Sequence, residues 1–151
     1  MIRAQAVTES TVDDATTGSD LVEHVAEKVA SVTADAAYDT IAFYTAAGAR
    51  GATVLVPPAK TASVSRRGPR SSVRDRTIKR VRALGRRRWK KESGYHQQAR
   101  VENAFFRYKS IIGDRLRART PGGRQTEALL ACNVLNRMTE LGRPLSYSIG
   151  R

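Results

Sequence analysis

Short apolar runs alternate with helical stripes through residue 56, and no further strand-like run follows Pro57-Pro58. Residues 2–7 alternate apolar and polar side chains, the pattern of a half-buried strand. Leu21, Val22, Val25 and Val29 form a helical stripe behind Asp20, which reads as an N-cap with Glu23 as its capping-box partner. Residues 30–34 read as a short strand ending at Asp35. Residues 40–47 form a helix that Gly48 and Gly51 stop, and Thr53-Val54-Leu55-Val56 is a compact strand closed by the two prolines. Strand, helix, strand, helix, strand predicts an α/β fold, a short mixed sheet flanked by helices.

The second part is different. Residues 60–72 form a basic loop rich in Ser, Gly and Pro. Residues 73–84 predict a basic helix with Ile78, Val81 and Leu84 inward. Gly85 and the run Arg86-Arg87-Arg88-Trp89-Lys90-Lys91 follow, then a long helix over 95–112. Pro121-Gly122-Gly123 reads as a turn, and residues 124–141 as a last helix, stopped at Gly142 with Pro144 beyond. Charge divides along the same line. Residues 1–59 hold three basic against eight acidic side chains, a net −5; residues 60–151 hold 24 basic against six acidic, a net +18. At 151 residues the chain is one domain by length, with an acidic α/β part (1–59), a basic loop (60–72) and a basic helical part (73–151). The basic part points to a polyanion partner, most simply nucleic acid; a solvated basic face is the alternative. The single Cys132 lies in an apolar pattern, with no disulfide framework or zinc spacing. Residues 1–11 lack the apolar core of a signal peptide, and no run approaches a membrane span. A cytoplasmic location is the expectation.

Two constellations carry chemistry. On the helix over 95–112, Tyr95, Gln98, Glu102 and Lys109 fall within about 60° of one another at helical spacing. Val101, Phe105, Tyr108 and Ile112 form an adjoining stripe that would anchor this helix to the sheet. Lys109 lies two turns, about 10–11 Å, beyond Glu102, a span suited to a phosphodiester backbone. The other constellation is Ala34-Asp35-Ala36-Ala37-Tyr38. A carboxylate at the C-terminal edge of a strand is a common site position, and the small residues after it leave room for a ligand. The same aspartate reads equally as an N-cap or turn residue.

These residues resemble the insertion-sequence DDE transposase family. Asp35-Ala36-Ala37-Tyr38 is similar to the motif around that family's second aspartate. Tyr95 through Glu102 to Lys109 is similar to its Tyr-x2-Arg-x3-Glu-x6-Lys signature, and the resemblance runs from about Ala4 to Tyr147. It implies a partial RNase H-like fold, DNA as substrate, and an acidic triad holding two divalent ions, Mg²⁺ or Mn²⁺. Asp35 would be the second catalytic aspartate and Glu102 the catalytic glutamate, both metal ligands. Tyr95 and Lys109 would contact phosphates at the transposon end.

The chain departs from the pattern twice. Gln98 stands at the signature arginine, losing the charged fork that grips phosphate. Only 34 residues precede Asp35, and the resemblance places Asp13 and Asp14 elsewhere than at the first aspartate. The expectation is an N-terminally truncated catalytic domain, impaired in strand transfer. The alternative is a non-catalytic DNA-binding remnant that interferes with full-length transposase. Arg86, Arg87, Arg88, Lys90 and Lys91 would join Gln98 in contacting DNA. Trp89 either stacks on a base or packs inward.

Overall fold

The computed structural model describes residues 1–65 and 72–142, with the side chains of 97–101 excepted. Residues 66–71 of the basic loop, the chain beyond Gly142 with its Pro144 stop, and the side chains of Gln98 and Val101 thus lie outside the described residues. Among the described residues are six α-helices, two 3-10 turns and a two-stranded parallel sheet. This mixed α/β architecture is consistent with a partial RNase H-like fold. The chain gathers into two compact units, Thr8–Asn103 and Met1–Val7 with Ala104–Arg151.

In the larger unit, α1 (Asp14–His24) starts about two turns earlier than expected. Asp13, not Asp20, caps it, its Oδ2 accepting the Thr16 N–H at 3.0 Å. Gly18 would ordinarily count against a helix here. It is tolerated because the Tyr38 ring occupies its side-chain space: a Cβ on Gly18 would lie 2.5 Å from the ring. Gly18→Ala should therefore cost about 1–3 kcal/mol by overpacking. Urea unfolding checks this; an unchanged midpoint would show that the ring has room to move.

The strands are short. β1 (Ser31–Thr33) pairs in parallel with β2 (Thr53–Leu55), Val32 opposite Val54. Between them lie a 3-10 turn over Ala36–Tyr38 and α2 (Ile41–Ala49), whose Thr40 hydroxyl caps the Phe43 N–H. Phe43, Tyr44, Ala47, Val54 and Val56 form the core, with Ala34 at its edge. The Tyr44 hydroxyl donates to the Val56 carbonyl, and burial pushes its pKa up to about 12. Arg50, one of the few cations in the acidic part, donates to the Val25 and Glu27 carbonyls and so ties the end of α2 to the segment after α1.

Helix α3 (Val73–Leu84) matches its expected bounds, with Ile78 buried and Val81 and Leu84 less so. A single glycine, Gly85 at φ 79°, turns the chain into α4 (Arg86–Glu92). Arg74 reaches from α3 to Asp39, just after the first 3-10 turn, and Arg86 donates to the Pro58 carbonyl. These bonds fasten both basic helices to segments flanking the sheet strands.

The expected helix over 95–112 is two elements, a 3-10 turn over Tyr95–Gln98 and α5 (Ala99–Ile111). The tighter turn advances about 120° per residue, which places Glu102 about 40° round from Tyr95 and keeps both on one side. Among the described residues of the expected anchoring stripe, none is fully buried. Phe105 is 65% exposed, and Tyr108 and Ile112 are half-buried.

In the smaller unit, Pro121 begins α6 (Pro121–Glu140) rather than a turn, with Thr120 as N-cap. Proline fits the first helical position, where no partner for its missing N–H is required. Residues 2–7 do not join the sheet. Their extended backbone lies along α6, where Asn136 accepts from the Ile2 N–H at 2.6 Å and donates to the Ile2 carbonyl at 2.7 Å. Gln125 accepts from the Val7 N–H. Gln125 and Asn136 lie about 16 Å apart along the helix, and an extended run from Ile2 to Val7 spans about the same. Side-chain amides thus satisfy groups that a neighbouring strand would otherwise take.

Candidate acidic site and basic surface

Asp35 follows β1 and caps the 3-10 turn. Its Oδ1 accepts the Ala37 N–H at 2.8 Å, leaving Oδ2 for another ligand, and the residue is exposed. The two readings left open by sequence are therefore compatible: one oxygen caps and the other faces solvent chemistry. The negative charge here is extended. Burial and then the charges of Asp14, Asp35 and Asp13 push the Tyr38 phenol above its ordinary pKa. Glu102 lies in the first turn of α5 and is also exposed.

Tyr95 feels the charge of both carboxylates. The 3-10 turn that it begins packs against both β1 and α4. Its hydroxyl is pushed up, first by burial and then by the charges of Asp35 and Glu102, while Arg86 opposes them. Two acids 67 positions apart in sequence thus act on one phenol. Tyr95 itself is only 9% exposed. Its ring lies 6.0 Å from that of Trp89, and the Lys90 ammonium stands 4.8 Å from its centroid.

The basic run has divided roles. Trp89 is buried, so it packs inward rather than stacking on a base. Arg86 is half-buried against the Pro58 carbonyl. Lys90 is exposed but leans over Tyr95. Arg87, Arg88 and Lys91 are exposed. Lys109 lies in the last turn of α5, in the other unit, and is exposed. The grouping of Trp89, Lys90 and Tyr95 is not legible in the sequence, where the run reads as a charge pattern. Its one local signal is the glycine that bends the chain back, Gly94 at φ 75°.

A family model for the transposase DDE domain matches residues 1–137. The chain belongs to this family. No solved structure matches it. Membership in the transposase DDE domain family gives the chain a transposase function in general, with DNA as the bound partner and divalent metal ions as the family's cofactors. No helix among the described residues is long and apolar enough to cross a membrane.

Asp35 and Glu102 offer the oxygen donors that a hard divalent cation prefers. Both acids are exposed carboxylates, and Mg²⁺ is commonly held by one or two carboxylates together with water and substrate phosphate. No group of three His, Cys, Asp or Glu that could hold a metal occurs among the described residues.

Proposed function

We propose that this chain is an insertion-sequence transposase catalytic domain that binds transposon-end DNA through its basic helical part and uses Asp35 and Glu102 for metal-dependent phosphodiester cleavage. The observation that supports this reading is that the charges of Asp35 and Glu102 both push up the Tyr95 phenol, in a chain whose family is the transposase DDE domain. A bound Mg²⁺ or Mn²⁺ would supply an activated hydroxide and stabilise the departing 3′ oxygen. Asp35 Oδ2 and the Glu102 carboxylate would hold it. The exposed Arg87, Arg88 and Lys91 would neutralise the DNA backbone nearby. Lys109 and Gln98 would add contacts, and Lys90 and Arg86 would act chiefly as supports.

Two carboxylates, one with an oxygen already committed to Ala37, supply few ligands for two closely spaced cations. Impaired strand transfer by this chain is therefore part of the proposal. That same shortage favours the second reading, a DNA-binding remnant that interferes with full-length transposase.

The two readings separate in one assay. Nicking of end-containing duplex DNA is measured in Mn²⁺, with binding followed by fluorescence anisotropy. Slow nicking that falls at least tenfold in Glu102→Gln and in Asp35→Asn, while binding stays within about twofold, supports the cleavage reading. Metal-independent nicking, or nicking untouched by both changes, would sink it. Salt-sensitive binding without nicking favours the remnant.

A further inference from the structure

Tyr95 occupies the signature position expected to touch a DNA phosphate, but it is buried. Its ring neighbours Trp89 and Lys90 both come from α4. The Trp89 ring lies against it on one side, and the Lys90 ammonium stands over it. The turn beginning at Tyr95 rests on β1, which ends two residues before Asp35, and on α4. Helix α4 is itself pinned to the segment after β2 by the Arg86–Pro58 bond. Four residues after Tyr95 the chain enters α5, and Glu102 is in its first turn.

We infer that Tyr95 is a positioning residue: its buried ring, in contact with Trp89 and Lys90 of α4, seats the start of α5 against β1 and so holds Glu102 within reach of Asp35. This rests on the carboxylate pair proposed above and assigns the pair its support. It gives Lys90 a role besides charge. The ammonium attracts the ring face through a cation–π interaction, which strengthens as water is excluded. The ring, not the hydroxyl, does the positioning, which distinguishes this role from a phosphate contact.

The test uses the full chain with Tyr95→Phe and Tyr95→Leu. Three quantities are measured: Mn²⁺ affinity by titration calorimetry, affinity for duplex DNA, and hydrogen exchange of the amides in the first turn of α5. Tyr95→Phe should keep all three within about twofold. Tyr95→Leu should weaken Mn²⁺ binding at least fivefold and speed amide exchange around Glu102 at least tenfold, with DNA affinity retained. A severalfold drop in DNA affinity in Tyr95→Phe would assign the hydroxyl to phosphate and overturn the inference. Unchanged exchange in folded Tyr95→Leu would overturn it as well. If the Leu variant does not fold, Trp89→Phe, which shrinks the ring that Tyr95 leans on, should give a smaller change in the same direction; no change would count against the inference. Should the unsubstituted chain show no Glu102-dependent Mn²⁺ binding, the metal reading fails separately, and amide exchange alone decides the positioning role.

Discussion

Replacing Arg74 with Met should destabilise the larger unit by about 3–5 kcal/mol, the cost of leaving a buried charge without its partner. Asp39 has a side chain only 1% exposed. Arg74 binds it through two parallel bonds, Nε to Oδ1 at 2.8 Å and Nη2 to Oδ2 at 3.1 Å. A third bond comes from the Ala59 N–H at 2.9 Å. The methionine keeps most of the aliphatic stem but none of the donors. Asp39 would then retain a single backbone donor in a site that excludes water. Urea unfolding followed by circular dichroism gives the number, and a destabilisation below about 1 kcal/mol would show that solvent reaches the carboxylate. The double variant Arg74→Met with Asp39→Leu should recover much of the stability, because no charge remains buried. This pair also matters to the site: Asp39 closes the turn that Asp35 opens, so the same bond steadies the candidate ligand.

The second large effect concerns DNA. Changing Arg87, Arg88 and Lys91 together to Gln should lower affinity for duplex DNA about ten- to hundredfold near 0.1 M salt. The slope of log affinity against log salt should become shallower by about 3, one unit for each phosphate that is no longer neutralised. All three side chains are exposed, so thermal unfolding should scarcely change. Arg86→Gln serves as the contrast. Its guanidinium is committed to the Pro58 carbonyl, so its removal should appear in stability more than in the salt slope. An unchanged slope in the triple variant would move the DNA surface elsewhere on the basic part.

How legible the site is in the sequence depends on the kind of signal. Asp35 and Glu102 stand out because the spacing of residue types around them matches a family pattern, and the family match bears out that membership. That both charges reach one tyrosine depends on how β1, α4 and the turn at Tyr95 pack, which no local pattern encodes. The basic run around Trp89 is visible only as charge. Which of its cations face solvent and which hold the fold follows from the carbonyls and rings that tertiary packing brings to them.

The larger unit's helices and strands are mostly written locally. Residues 73–84 carry a helical stripe between Ser72, whose hydroxyl caps the Asp75 N–H, and Gly85, where a positive φ ends the helix. Residues 53–55 are an apolar run against two prolines. Such elements form because the chain's own periodicity and stop signals agree. Residues 2–7 show the opposite case. Their alternation determined an extended backbone but not a partner, because alternation says which side chains share a face and nothing about what lies beside the backbone. The Asn136 and Gln125 amides took that place, 134 and 118 positions away in sequence. The carboxylate pair obeys the same division: sequence alone singled out the two acids, and the tertiary structure, by burying Tyr95 where both charges reach it, decided that both act on the same phenol.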